Sequence, residues 1–288
     1  MPRGISINIG LNRVDPMQYG SQFKTLRGCE HDARDMFDIA RSRGFDAELI
    51  LADEATSYRV IDAIGGAAQT LTAGDILLLT FAGHGSQVLD DFHGDDEDGF
   101  DETLVLFDRN LIDDELYSLW GRFRAGVRVL FICDSCHSGT PAQLALSDSP
   151  PAGEDEGFFN TRPVEPDECG RPRLLRSVSP AEQARHLAHF RGVYDAIRGG
   201  LTDSSSAAVA ASVIQLGACQ DHQEAADGER NGLFTGKLRQ VWNEGAFEGD
   251  YRRFLSDIQG LLPAHQQPRF LTVGAPDGAF EAQRPFTI

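Results

Sequence analysis

Two apolar runs dominate the pattern of the chain. Asp75 to Phe81 (DILLLTF) and Val127 to Ile132 (VRVLFI) are short, largely aliphatic and end abruptly in glycine and small polar residues. Such runs read as buried parallel strands. Ile5 to Gly10, Ala47 to Leu51, Ser212 to Ala218 and Pro268 to Val273 have the same character, and Glu102 to Phe107 predicts a short strand or hairpin arm. Between them run helical patterns. Ala33, Met36, Phe37 and Ala40 recur at helical spacing, with Gly44 as the stop, and Val60, Ile61 and Ile64 mark a helix over Ser57 to Leu71. Further helices are expected over Glu115 to Phe123, Ala181 to Arg198, Leu233 to Trp242 and Tyr251 to Leu262. Strands alternating with helices predict an α/β fold with a parallel sheet. Residues 147 to 180, rich in proline, glycine and acids, break the pattern and predict a long loop or disordered linker.

The two dominant runs carry the candidate chemistry. The first leads into Ala82-Gly83-His84-Gly85-Ser86-Gln87 and the second into Asp134-Ser135-Cys136-His137-Ser138-Gly139. Reacting groups of open α/β sheets sit at the carboxyl ends of strands. If these two strands are neighbours, an imidazole and a thiol project from one edge, and the imidazole can serve as base for the thiol. His84 precedes Cys136 by 52 residues, close to the spacing of about 50 found in caspases.

The blocks FAGHGSQ and DSCHSG, with the acidic run GDDEDGFDET between them, resemble the metacaspase branch of the caspase-like (clan CD) cysteine peptidases. The resemblance implies a caspase-hemoglobinase sandwich, with a mostly parallel six-stranded sheet flanked by helices. It divides one domain into a large part over residues 1–142 with the His and Cys, a variable insertion over 143–211, and a small part over 212–288. It implies a cysteine endopeptidase cutting after Arg or Lys. Cys136 would be the nucleophile, His84 the acid-base partner, and the backbone of Gly85 an oxyanion donor. Cys29, Asp32 and Asp134 match positions lining the pocket for the basic side chain. Ala82 stands where the family often has serine, which removes one hydroxyl. The family's calcium-binding carboxylates correspond to Asp98 or Asp101 and to Asp113 and Asp114, with Gln143 where a further acid is expected. The resemblance also implies peptide substrates, a monomer, and self-cleavage in the linker, where Arg162, Arg171, Arg173 and Arg176 stand.

Charge supports part of this reading. There are 44 acidic and 26 basic residues, a formal net charge of -18. That disfavours nucleic-acid or anionic-membrane surfaces and suits a cation or a basic peptide. Eight acids crowd residues 90 to 102, in an order that does not spell an EF-hand. Five cysteines, an odd number, predict no disulfide framework. No signal-peptide core and no apolar stretch of about 18 residues is visible, so the expectation is a cytoplasmic protein with no organic cofactor. Two other functions remain open. One is a non-catalytic, calcium-sensing or scaffold protein with the same fold. The other is a redox or haem protein, because Cys133, Cys136 and His137 spell C-x-x-C-H.

Overall fold

The computed structural model of the chain describes residues 1–21, 23–89, 100–136, 166–167, 169–201, 209–220 and 223–288. The elements in order are β1 (Gly4–Gly10), α1 (Pro16–Tyr19), α2 (Cys29–Ser42), β2 (Asp46–Leu51), α3 (Ser57–Thr70), β3 (Ile76–Ala82), β4 (Gly85–Leu89), β5 (Phe100–Val105), β6 (Asn110–Ile112), α4 (Asp113–Trp120), β7 (Arg128–Asp134), α5 (Pro180–Leu201), β8 (Ser212–Gly217), α6 (Leu233–Trp242), α7 (Tyr251–Gln259), β9 (Arg269–Gly274) and α8 (Gly278–Glu281).

Six strands form one sheet in the order β2-β1-β3-β7-β8-β9. The first five run parallel, and β9 lies antiparallel to β8 at the edge. The strands β3 and β7 sit at the centre and are buried along nearly their whole length, as the unbroken apolar runs require. Side chains alternate between two cores. Leu77, Leu79, Phe81, Val129 and Phe131 pack with residues of α3 and α4 on one face. Leu78, Leu130, Ile132, Ile214 and Leu216 pack with Met36 and Ala40 of α2 and with α6 and α7 on the other. This is the expected mostly parallel α/β sandwich.

The structure pairs the expected arm over Glu102 to Phe107, here β5, with two strands that the apolar pattern did not announce. β4, β5 and β6 form a separate antiparallel sheet beginning one residue after His84. β4 (GSQVL) and β6 (NLI) are too short to show a period. The linker also differs from expectation. Leu174 to Val178 lie against the main body through isolated bridges, Leu175 to Ala226 and Ser177 to Gly85. The helix α5 then packs against α1, α4 and β4.

A polar-aromatic cluster anchors α5. The His186 ring stacks on Tyr19 at 4.4 Å, and its Nε2 lies 2.7 Å from the Tyr194 hydroxyl. Tyr194 accepts from Asn110 N, and Tyr19 donates to Asn110 Oδ1. Burial, with a smaller effect from His189, pushes the His186 pKa down to about 4. The unfolded chain binds a proton near pH 6.5 that the folded chain refuses. The stability from neutral His186 is therefore full above about pH 6.5 and lost as pH falls towards 4, on the order of 2–3 kcal/mol. Urea titrations between pH 4.5 and 7.5 are expected to show this slope in the wild type and a shallower one in His186→Gln. Equal slopes would refute it.

Candidate active site

The two dominant runs do lie side by side. β3 and β7 pair in parallel with Phe81 opposite Cys133 and Ala82 opposite Asp134, so His84 and Cys136 emerge from neighbouring strand ends. The closeness shows at Gly85. A Cβ built there would lie 1.7 Å from the Cys136 carbonyl oxygen, so only glycine fits. Gly85→Ala is expected to displace this backbone and to reduce by about 100-fold or more any reaction in which Gly85 N holds an oxyanion. The check is kinetics on a variant shown to be folded by circular dichroism; full activity would rule out so close an approach.

His84 is buried, and its ring is fixed on two sides. Its Nε2 lies 2.7 Å from the carbonyl oxygen of Lys24, and the Phe23 ring meets it edge-on at 5.1 Å. A carbonyl only accepts, so Nε2 carries the proton and Nδ1 the lone pair. Nδ1 has no hydrogen-bond partner. Burial holds the His84 pKa below its usual value, keeping the ring neutral and able to take a proton.

The Cys136 thiol does not meet that nitrogen in this arrangement. Its Sγ donates to Ala225 O at 3.3 Å and accepts from Ala225 N at 2.8 Å. The thiol is fully buried, and burial, followed by the neighbouring Cys219, holds its pKa well above normal. It rests as a protonated thiol. Cys133 sits in the opposite core, and burial raises its pKa to about 12. Both cysteines are free. Sulfurs on opposite faces of a sheet cannot act as a C-x-x-C pair or hold one haem, and His137 of that motif lies outside the described residues.

The proposed pocket residues converge, and they converge on Arg176. Among the described residues this arginine is the largest fully buried one, at 0% exposure. Its Nη2 lies 2.5 Å from Asp32 Oδ2 and 2.9 Å from Asp227 Oδ1. Its Nη1 donates to the Asp134 carbonyl at 2.7 Å and forms an ion pair with Asp134 Oδ1 at 2.9 Å, outside hydrogen-bond geometry. Cys29 and Ala82 pack with Leu26 and Leu174 at the wall. The carboxylates are held from behind. Gly232 N and Asn231 Nδ2 donate to Asp32, and Thr235 donates to Asp134 through both N and Oγ1. These donors lie at the amino end of α6, where the helix dipole favours negative charge. Burial opposes the charge of Arg176, but Asp134, Asp32 and Asp227 outweigh it and raise its pKa. Three buried acids exceed one cation, and burial raises the Asp32 pKa to about 7 despite Arg176.

The backbone of Arg176 is engaged as well. Arg176 N donates to Ala225 O at 3.0 Å, and Asp227 N donates to Leu174 O at 2.6 Å. Gly85 N donates to the Arg176 carbonyl at 3.0 Å. The segment Leu174–Ser177 thus lies extended through the site. Its sequence context reads as solvated, so this burial corrects the expectation of an open linker arginine. In the sequence, Asp227 stands in GACQDHQEAADG, which resembles the family's segment after its fifth strand and suggests no catalytic role for it. Asn231, Gly232, Thr235, Ala225 and the Lys24 carbonyl carry no such signal.

The expected calcium carboxylates are not assembled among the described residues. Asp98, Gln143 and the Asp101 side chain lie outside them. Asp113 accepts from Asp114 N, and Asp114 lies 3.7 Å from Arg198. Among the described residues no group of three or more His, Cys, Asp or Glu side chains could hold a metal ion, and no helix is long and apolar enough to cross a membrane.

Comparison with known proteins agrees with this geometry. A family model described as the caspase domain matches residues 14–278. Metacaspase-1 of Saccharomyces cerevisiae strain S288c is 26% identical over 88% of the chain and 61% of its own length. Metacaspase-1 of Schizosaccharomyces pombe is 28% identical over 82% of the chain and 59% of its length. The chain thus spans about 60% of these curated relatives. A crystal structure of a Geobacter sulfurreducens protein superposes with a TM-score of 0.85 at 43% identity, covering 99% of both chains. Caspase-1 of Spodoptera frugiperda shares the fold, with a TM-score of 0.55 at 13% identity over 94% of this chain and 86% of its own. Fold and site together define a caspase-like α/β protein. The chain belongs to the caspase-domain family, and its curated relatives are metacaspases.

Proposed function

We propose that this protein is a cysteine endopeptidase that cuts after basic residues through Cys136 and His84, and that its own Arg176–Ser177 bond is one substrate. A single observation carries the reading. A buried arginine fills an acid-lined hole while its carbonyl rests on the Gly85 amide, beside the backbone of Cys136. That is how a peptide with arginine before the cut would lie.

In this scheme the Cys136 thiol leaves Ala225 and gives its proton to His84 Nδ1. The thiolate attacks the Arg176 carbonyl carbon, and the resulting oxyanion keeps the Gly85 N–H bond. The C–N bond to Ser177 breaks, His84 returns the proton to the departing amine, and water hydrolyses the thioester. The Lys24 carbonyl positions the imidazole throughout. In the resting arrangement the segment is plug and substrate together, since the thiol is still held by Ala225.

Calcium stimulation is a further part of the proposal, resting on Asp98, Asp101, Asp113 and Asp114. Calcium takes six to eight oxygens, and the Asp113–Asp114 pair supplies only part of such a set. The test is a scan of fluorogenic peptides differing in the residue before the cut, with and without calcium, on wild type and Cys136→Ala. Turnover of Arg or Lys peptides by wild type alone supports the reading. One observation favours a non-catalytic scaffold instead: the thiol is buried and turned away from His84. That reading predicts no turnover at any calcium concentration.

A further inference from the structure

We propose that Asp227 makes the pocket select arginine over lysine before the cut, an inference that rests on the cysteine-peptidase reading. The three carboxylates touch different parts of Arg176. Asp32 and Asp134 meet the terminal nitrogens, Nη2 and Nη1. Any cation that reaches the pocket floor can use them. Asp227 lies alongside the guanidinium instead, with Oδ1 3.3 Å from Nε and 2.9 Å from Nη2. That edge, two N–H groups fixed in one plane, exists in arginine and not in lysine.

Asp227 cannot follow a shorter side chain. Its Oδ2 accepts from Arg27 N at 2.7 Å, Oδ1 accepts from Gly28 N at 3.2 Å, and the residue is fully buried. A lysine ammonium stands one bond short of the arginine Nη atoms. Within this rigid frame it loses the Nε partner and falls short of Asp32 and Asp134. The floor cannot rise to meet it, because Gly232 and the α6 amides lock Asp32 and Asp134 from behind. Asp227 also reads the peptide backbone, its amide donating to Leu174 O two residues before Arg176. One residue thus couples the chain path of a substrate to the shape of its cation.

The experiment uses the full chain carrying Arg176→Ala, so that no internal arginine competes. Peptides identical except for Arg, Lys or Nε-methylarginine before the cut are compared by kcat/KM. Arginine is expected to be preferred over lysine by about 10- to 100-fold, the worth of one or two charge-assisted hydrogen bonds. Methylation of Nε is expected to cost about tenfold. Adding Asp227→Asn is expected to bring the Arg-to-Lys ratio down to within a few-fold of one. Equal rates for Arg and Lys, or for Arg and Nε-methylarginine, overturn the inference and leave the peptidase reading standing. So does an Asp227→Asn chain that loses both activities by the same factor. If Asp227→Asn does not fold, the methylated peptide still decides. If no peptide is cut, the peptidase reading fails. Calorimetric binding of the same three peptides to the Arg176→Ala chain then applies the selectivity test without turnover, equal affinities overturning the inference.

Discussion

Cys136→Ala is expected to abolish turnover of arginyl peptides, a fall of about 10^4-fold or more, because in the proposed scheme the Cys136 thiol forms the thioester. The proposed self-cleavage predicts that wild type is cut between Arg176 and Ser177 while the same variant stays one polypeptide, which mass spectrometry would check. Its stability should change little. The thiol contributes two weak bonds to Ala225, and alanine fills most of its volume. His84→Ala is expected to fall nearly as far, since the neutral imidazole is the base near the site whose free nitrogen has no competing partner. Residual peptidase activity in a folded Cys136→Ala chain would end the proposal.

Arg176→Ala is the second large effect. Removing one member of a buried charge cluster costs about 3–5 kcal/mol when the groove stays closed. Here Asp32, Asp134 and Asp227 are left facing one another, so the segment is expected to leave the groove and admit water. Three results are expected together: a lower unfolding temperature, faster nicking of residues 166–178 by an added protease, and hydrolysis of arginyl peptides without prior processing. Loss of the 176–177 cut follows from the missing basic residue. Arg176→Lys should leave a cation in the groove that stands short of Asp32 and Asp134, and so fall between the two. An unchanged melting temperature with the segment still protected would mean that the arginine is not what holds it.

Much of the architecture was readable before any coordinates. Phe81 and Ile132 close largely apolar runs, and such runs have few other homes than the centre of a parallel sheet. The helix over Leu233–Trp242 appears with the expected bounds. Asp32 and Asp134 were expected together in the pocket from the resemblance, and both touch Arg176. Of the β4-β5-β6 sheet only the middle strand was expected, as the arm over Glu102 to Phe107, because strands of three and five residues leave no period to count. The linker was misread for a different reason. Arg176 stands among polar residues and prolines, and local composition reports solvation without reporting a cavity elsewhere in the chain.

The sequence by itself determined the two strand ends. Branched and aliphatic side chains set the burial of β3 and β7, and glycine and small polar residues set where they stop, so His84 and Cys136 each stand just past a strand end; the pairing of β3 with β7 brings them to one edge. Only the tertiary structure decided what stands between them. Asp32, Asp134 and Asp227 come from α2, the end of β7 and the turn before α6, and Arg176 joins them across 144 residues from Asp32. Like charges gather in this way because helix dipoles, backbone amides and one cation stabilise them at a single point in space. No pattern of neighbours along the chain carries that information.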